Sequence, residues 1–447
     1  MTDNRDSIDF ANEPVGQLFR KMLWPTLISM ISIVVLNIAD GAFLGHGAGS
    51  EALAGINIAA PIFNIMMGIG IMFGIGGSIV ASIHLSRGQL KAANINITQA
   101  IIGSVAIAVI LSALILTNLP ATCRLFGSNE ELIPLASSYL KWVAIADPII
   151  MMEMVCRFII RIDGSPKFAM ICSVGASALN IILDYVAIFI LGWGLEGAAI
   201  ATSISFALSG IAQISYMIWF TKVLSLYKLK LTLKSFQLTV RNLGYQIKMG
   251  FSAMVGELAV SGSMIIGNYV FIHYLGETGV AAYSVACYSI PFIFLMANGI
   301  AQAGQPIVSY AYGAYNAQRL HESYRLMIRW AIITGTALSA LMFFMAPYVT
   351  MIFIEEGDPA FQISADGLPY YGLGILVITL NIVLIGYMQS VEQSTRASIY
   401  SILRGFVIVI PCFILLPQMI GQIGMWLAIP VAEAITLAII MLTWKRR

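Results

Sequence analysis

Twelve mostly apolar stretches run along the chain, at about 18–46, 53–85, 93–118, 135–161, 167–192, 196–221, 245–274, 279–311, 319–346, 362–390, 396–416 and 422–444. Short polar or Gly/Pro-bearing turns separate them. Crossing a hydrocarbon layer takes roughly 20 helical residues, and each stretch is long enough. Lipid offers no partner to backbone N–H and C=O groups, so each crossing segment is predicted to be a helix that satisfies its own backbone. Several stretches exceed the minimum, which implies tilt or extension into water. The predicted fold class is all-α integral membrane, with twelve transmembrane helices in two pseudo-symmetric six-helix lobes. The polar segment Met1–Gln17 precedes Arg20-Lys21, and the apolar run that follows is too long for a signal peptide core. It reads as the first span.

Basic residues set the direction of threading. With the N-terminus in the cytoplasm, the inner segments collect Arg20 and Lys21, Arg87 and Lys91, Arg157, Arg161 and Lys167, the run from Lys222 to Lys248, Arg319, Arg325 and Arg329, Arg396 and Arg404, and the terminal Lys445, Arg446 and Arg447, with Arg5 ahead of them all. Of the 24 Lys and Arg, only Arg124 and Lys141 fall outside. The outer loops carry Glu51, Glu130, Glu131, Glu277, Glu355, Glu356 and Asp358. This asymmetry predicts an even number of spans with both termini cytoplasmic.

The longest basic interruption, 222–244, contains the alternating run YKLKLTLKSFQLTVRN. Such a segment is expected to lie on the anionic inner leaflet and to link two halves. A solvated inner loop would also satisfy the charge rule. The predicted division is an N-lobe over 1–221, the linker 222–244 and a C-lobe over 245–447. The halves resemble each other at an offset of roughly 227–230 residues. Lys21-Met22 matches Lys248-Met249, Pro61 matches Pro291, Gly76 matches Gly304, Ser165-Pro166-Lys167 matches Ser394-Thr395-Arg396, and Gly197 matches Gly424. A six-span repeat keeps the same topology in both copies. Transporters place a substrate site between such halves and expose it to each side in turn.

Charges at membrane depth are costly and point to function unless a partner explains them. Asp40 lies 19 residues after Lys21, and Asp184 lies 17 after Lys167. At 1.5 Å per residue both sit roughly 26–28 Å from the inner side. Thr202 lies six residues below Glu196 on a descending helix, at a similar level. Asn180 is at i−4 from Asp184, hence on the same helix face. Four oxygen-bearing side chains can therefore converge. No cation is available to either aspartate at that depth, so the two carboxyls share a proton or bind a cation. The alternative is an aspartate capped by backbone donors at a helix bend.

Other buried charges read as structural. Glu153 has Arg157 at i+4, the favourable order for a helix pair. Arg404 and Glu433 fall at similar depth on neighbouring helices and are predicted to pair. Asp147 precedes Pro148 and reads equally well as a water-facing helix end. Glu257 lies nine residues after Lys248, roughly 14 Å in, with no partner visible in the sequence. It is a candidate for attracting a cationic substrate, against a hydrogen-bonded structural role. At the repeat offset Asp40 corresponds to the neighbourhood of Gly267-Asn268, and Asn180 and Asp184 correspond to the region of Val409 and Phe413. The carboxylate pair is thus expected in the first half alone.

Composition narrows the function further. The chain is 59% hydrophobic and 10% charged, too few charges to cover a soluble domain of this size. A net charge of +2 makes nucleic acid an improbable partner. The five cysteines and four histidines are scattered, with no spacing for a zinc site or a disulfide frame. Neither GxSxG nor HExxH occurs, which argues against an embedded enzyme. Methionines and aromatics such as Met66, Met151 and Phe294 mostly face lipid or other helices. Flexible thioethers and ring faces also suit a pocket for flat apolar cations.

At these positions the chain resembles the multidrug and toxic compound extrusion (MATE) family, nearest its DinF-like and MepA-like members. The resemblance covers nearly the whole length. It is carried by IADGAFLGHG (38–47), ALAGINIAAPI (52–62), FGIGGSIVAS (73–82), IRIDGSPKFAM (160–170), ALNIILDY (178–185) and GWGLEGAAIATSIS (192–205). It implies twelve helices in two lobes and export of cationic or amphipathic small molecules in exchange for protons or sodium. It implies an N-lobe ion site at Asp40, Asn180, Asp184 and Thr202, with no other cofactor and no resident metal apart from sodium at that site. Pro25 matches a family proline in the first helix and is the hinge candidate. Glu257 matches a glutamate that another branch uses in its seventh helix together with an aspartate in the tenth. The tenth span here, around Asn381–Gln389, offers no such aspartate, and Asp366 lies near its outer start.

The competing transporter reading is a flippase for a lipid-linked precursor of the same superfamily. A pyrophosphate cargo calls for arginines in the cavity, whereas the basic residues here cluster at the inner rim. The loop LSRGQLKAAN does not fit a major facilitator signature. A passive channel is expected to show pore-lining rings from oligomer symmetry, and a pseudo-symmetric single chain fits alternating access better. The expected setting is the bacterial inner membrane, with the chain a monomer in contact with lipid.

Overall fold

The computed structural model describes residues 8–48, 50–126, 128, 130, 132–230 and 232–444, without the side chains of 50–54, 57 and 58. Arg5, Glu131, Lys445, Arg446, Arg447 and the Glu51 side chain therefore lie outside the described residues. Within them the regular structure is helical throughout, with no strand. The helices are α1 (Val15–Gly47), α2 (Ser50–Ser86), α3 (Leu90–Thr117), α4 (Leu119–Leu125), α5 (Ile133–Ile162), α6 (Pro166–Tyr185), α7 (Gly194–Trp219), α8 (Leu233–Gly313), α9 (Ala317–Phe344), α10 (Ala346–Met351), α11 (Pro359–Gly372), α12 (Ile375–Ser390), α13 (Ser394–Ile402), α14 (Val409–Ile420) and α15 (Gln422–Thr443). Single π-helical turns follow α6 at Val186–Ile190 and α13 at Leu403–Val407.

These helices make twelve crossings. Nine described segments are long and apolar enough to span, and α11 with α12 adds one more as a pair bent by 46°. Helix α8 breaks at Gly276, where φ is +64° and ψ −155°, and so spans twice. That backbone lies in a region open essentially to glycine. The remaining crossing is α5, 30 residues long, whose buried Asp147, Glu153, Arg157 and Arg161 dilute its apolar signal. The repeat extends to the loops. Short α4 and α10 begin 227 residues apart, and each has a proline in its first two positions.

Two compact units result: Met1–Met254 with Ser309–Ala317, and Val255–Val308 with Gln318–Arg447. In the first, α5 packs on α7, α2 and α3, and α1 packs on α6. Helices in lipid gain no water-driven attraction from one another, so close packing and interhelical hydrogen bonds hold them. Both devices are present. A Cβ at Gly76 would overlap the Gln246 carbonyl, and one at Gly250 would overlap the Met72 carbonyl, so α2 and the start of α8 touch backbone to backbone. Beside that contact, Gln246 Nε2 donates to the Asn96 carbonyl at 3.0 Å, and Gln99 Nε2 donates to Thr239 Oγ1 at 2.8 Å. The second unit centres on Phe271, stacked at 4.4 Å on Tyr283 and edge-on to Trp426 at 5.0 Å.

The basic segment 222–244, read from its alternation as one surface-lying stretch, divides in two. Residues 233–244 are the first turns of α8. Ahead of them the chain is non-helical and held to the first unit by side chains. Buried Asp163, in the turn after α5, accepts from the backbone N–H groups of Lys222, Val223 and Leu224 at 2.9, 2.8 and 2.7 Å, and from Tyr216 Oη at 2.8 Å. Asn94 and Thr98 accept from the Ser225 and Tyr227 N–H groups. A strand-free, non-helical stretch still needs partners for its N–H groups, and these acceptors supply them.

The two predicted ion pairs form. Arg157 Nε donates to Glu153 Oε1 at 3.2 Å, and Ser209 and Gln213 of α7 donate to the same oxygen at 3.3 and 2.6 Å. Arg404 Nε donates to both Glu433 oxygens at 3.0 and 3.1 Å, and Asn381 Nδ2 donates to Glu433 Oε2 at 2.6 Å. Both carboxylates are satisfied by a guanidinium and by neutral donors.

Candidate functional site

Helices α1 and α6 run alongside each other in the same direction, and their facing surfaces are polar. On α6, Ser173, Ser177, Asn180 and Asp184 recur every three or four residues and are all buried, one stripe of a helix. On α1 the matching positions are Ser32 and Asp40. Ser177 Oγ donates to Ser32 Oγ at 3.4 Å midway along the stripe. At its far end the Asp40 and Asp184 carboxyls lie next to each other.

Local sequence sets this up. Gly164, at φ +88°, and Pro166 start α6 sharply after Asp163. Immediately after Asp184 the helix widens into the π-helical turn Val186–Ile190, a feature frequent at functional sites. Gly192 and Gly194, both at positive φ, then reverse the chain into α7. That reversal brings Thr202 beside Asn180, whose Nδ2 donates to Thr202 Oγ1 at 3.4 Å.

What is missing at the site defines its chemistry. Asp184 is 0% exposed, and neither of its oxygens meets a hydrogen-bond donor. Asp40 Oδ1 and Asn180 Oδ1 are likewise buried without one. Four buried acceptor atoms of three residues thus have no N–H or O–H directed at them. A buried acceptor left unmatched costs about 1–3 kcal/mol, and more when it is charged. Two adjacent carboxyls add mutual repulsion. A proton on one carboxyl, or a cation among the oxygens, would match that deficit. Among the described residues no cluster of three His, Cys, Asp or Glu could hold a transition metal. The all-oxygen donor set suits a hard cation instead.

Tyr139 of α5 was not among the residues singled out from the sequence. It is 7% exposed and close enough to feel both aspartates electrostatically. A tyrosine in an apolar helix carries no spacing signal. The Ser32–Ser177 contact could have been found, because the i, i+4, i+7, i+11 run of Ser173, Ser177, Asn180 and Asp184 is visible in the sequence.

The other candidates lie apart. Pro25 is buried in α1, and its carbonyl accepts from Ser29 Oγ at 2.9 Å. Glu257 is half-buried on α8 and makes no hydrogen bond or ion pair among the described residues. Asp366 is exposed and accepts from Gln362 at 2.9 Å, while Asn381 of the same span bonds Glu433. Neither supplies Glu257 with a second acid. Asp147 corrects the sequence reading. It is 2% exposed in the middle of α5, not at a wet helix end, and its Oδ2 has no partner. Pro148 continues α5 instead of bounding it.

A family model described as MatE matches residues 25–186 and 252–415. "Multidrug export protein MepA" of Staphylococcus aureus (strain MSSA476) is 23% identical over 432 residues, covering 95% of this chain and 92% of that protein. Two solved structures share the fold. One, described as MATE in complex with MaL6, has a TM-score of 0.87 at 23% identity and covers 96% of this chain and 95% of its own. The other, described as the outward-facing conformation of a multidrug resistance MATE family transporter of the MOP superfamily, has a TM-score of 0.86 at 22% identity, with 96% and 95% covered.

Proposed function

This chain belongs to the MatE family, and we propose that it is a multidrug efflux antiporter, exporting cationic or amphipathic small molecules in exchange for protons or sodium. It is a transporter and not an enzyme. In this reading it resides in the bacterial inner membrane with both termini in the cytoplasm. It works by alternating access between an N-lobe, 1–221, and a C-lobe, 245–447, joined through 222–244. The observation that supports it best is the adjacent pair of carboxyls at Asp40 and Asp184, three of whose oxygens are buried with no donor directed at them.

The coupling step follows from that deficit. A cation entering from outside neutralises the pair and removes its repulsion. Asn180 is held by Thr202 through Nδ2, which leaves its unmatched Oδ1 available as a neutral ligand. Release of the ion to the inside restores two facing carboxylates, an arrangement the lobe relieves by changing conformation about the proline-bearing helix α1. Ion binding thus biases one of two states, and a ligand can shift such an equilibrium only by its differential affinity for them. Glu257, a lone carboxylate in the second unit, draws cationic substrate by charge.

Inside-out vesicles loaded with this protein test the reading, with a cationic dye followed under imposed pH and sodium gradients separately. Gradient-driven dye uptake supports the antiporter, and the gradient that works identifies the ion. Dye movement that ignores both gradients would instead mean a passive pore.

A further inference from the structure

We propose that Asp147 is a second proton-binding acid of the first unit, separate from the Asp40–Asp184 pair and placed on its inward side. Asp147 lies midway along α5 and is 2% exposed. Its Oδ2 has no partner, and the residue makes no hydrogen bond or ion pair among the described residues. The packing around it is apolar. Val143 and Met151, one turn away on either side, belong to one buried cluster with Ile62 and Met66 of α2 and Ala108 and Ile115 of α3.

Helix contacts fix what lies level with Asp147. A Cβ at Gly55 would meet Leu135 and Ala136, one at Gly70 would meet Met154 and Met151, and one at Gly74 would meet Phe158. Facing positions of α2 and α5 thus differ by 80–84 in number, which sets Asp147 against 63–67. Helix α3 runs the other way, and a Cβ at Gly77 would meet Ala100, so the same level on α3 is 110–114, centred on Ser112. Ser112 is buried, and its Oγ is also without a partner. Two unmatched polar groups therefore share one level of one apolar cluster.

No charge reaches that level from the helices packed on α5, which are α2, α3, α4, α6 and α7. Their charged residues lie toward the ends: His84 on α2, opposite the undescribed Glu51 side chain, Lys91 on α3, Arg124 on α4, Lys167 and Asp184 on α6, and Glu196 on α7. On α5 itself Lys141 and Glu153 are each six residues away, roughly 9 Å along the axis. Lys141 lies over the Trp142 ring at 5.5 Å, Glu153 is held by Arg157, and Arg161 is further inward. The remaining titratable groups of these helices, Cys123, Tyr139, Cys156, Cys172, Tyr185 and Tyr216, are ordinarily uncharged at neutral pH.

A carboxylate with neither cation nor donor in an apolar site keeps its charge only at a large cost, and a proton removes that cost. A hard metal cation asks for roughly six oxygens, whereas the side chains of Asp147 and Ser112 offer three. Asp147 lies 14 residues, roughly 21 Å, above Arg161, and the pair lies at roughly 26–28 Å by the same count. Tyr139, eight residues outward on α5, is near both aspartates of the pair. A proton leaving the pair inward passes the level of Asp147, which gives its own proton inward and takes the next. That role rests on the antiporter reading; the binding of the proton does not.

Infrared difference spectroscopy of the full-length protein in lipid membranes tests this, because a protonated carboxyl has its own carbonyl band. The expected band persists in the Asp40→Asn, Asp184→Asn double variant, disappears in Asp147→Asn, shifts in Asp147→Glu and fades as the pH is raised. Dye transport driven by a pH gradient should fall at least several-fold in Asp147→Asn and recover in Asp147→Glu. An unchanged spectrum in Asp147→Asn would mean an ionised carboxylate and overturn the proposal. So would a band that stays at every pH, which marks a fixed structural acid, or one removed by sodium at constant pH. Unimpaired transport by Asp147→Asn, or transport driven by sodium alone, would overturn its place in the inward path. If Asp184→Asn keeps gradient-driven transport, the coupling pair fails while the Asp147 band stands or falls by itself.

Discussion

Two regions of the molecule hold carboxylates in opposite ways, one matched by donors and one left without them. In the second unit, Glu433 is met by Arg404 and Asn381, and the donors match its acceptors. In the first, Glu153 is treated alike, by Arg157, Ser209 and Gln213. Beyond it, Asp40 and Asp184 are set side by side, with no donor at Asp40 Oδ1 or at either oxygen of Asp184. The satisfied carboxylates hold helices together. The unsatisfied pair stores an imbalance that a mobile cation can remove. The repeat duplicates the scaffold, and the carboxyl pair occupies one copy of it.

The largest expected effect lies where the donors are complete. Arg404→Ala strands the buried Glu433 charge and should destabilise the protein by about 3–5 kcal/mol. Glu433→Ala should do comparable harm, and the double variant should cost less than the sum, since contacting residues couple. Thermal unfolding in detergent measures this, and strict additivity would dissolve the pair. At Asp184 the contrast should reverse, with Asp184→Asn neutral or stabilising in the same assay. Removing a charge from an unmatched pair relieves repulsion, the usual trade of stability against function.

Asn381→Ala should cost somewhat less, about 1.5–3 kcal/mol, the range for a hydrogen bond to a charged group. Unchanged unfolding would show that Arg404 alone satisfies Glu433. Glu257→Gln addresses a half-buried carboxylate of the second unit that has no partner among the described residues. It should weaken export of a cationic dye several-fold while sparing a matched neutral one, because only the cation gains from a charge in low dielectric. Equal losses for the two dyes would make Glu257 structural. The smallest effect belongs to Thr202→Ala. It removes a neutral oxygen and loosens Asn180, and should raise the ion concentration for half-maximal transport by a few-fold, about 1 kcal/mol. If sodium couples, the shift appears in the sodium dependence; if protons do, it appears in the pH profile.

Depth arithmetic reads part of this from the sequence, because a helix rises uniformly. Counting from the basic ends puts Asp40 and Asp184 at one level, and the structure sets their carboxyls together. The same count puts Arg404 level with Glu433, and they bond. Counting fails where the backbone departs from a simple helix or where a signal has two causes. Asp147 before Pro148 looks like a helix end, yet α5 runs through it. The π-helical turns beyond Asp184 and around Arg404 leave no compositional trace. The alternation in 222–244 hides a change from anchored chain to helix at Leu233, because the anchor, Asp163, is some sixty residues away in sequence. Tyr139 comes from a third helix and announces itself only by its nearness to both aspartates.

The central claim is that Asp40 and Asp184 couple transport as a unit, and vesicle transport by the Asp184→Asn protein tests it most directly. The variant should fold, reach the membrane and bind dye, yet lose gradient-driven transport down to the level of protein-free vesicles. Asp40→Asn should match it, and the double variant should be no worse than either. Near-normal gradient-driven transport by Asp184→Asn would contradict the account and leave Asp40 alone, or Glu257, as the coupling group.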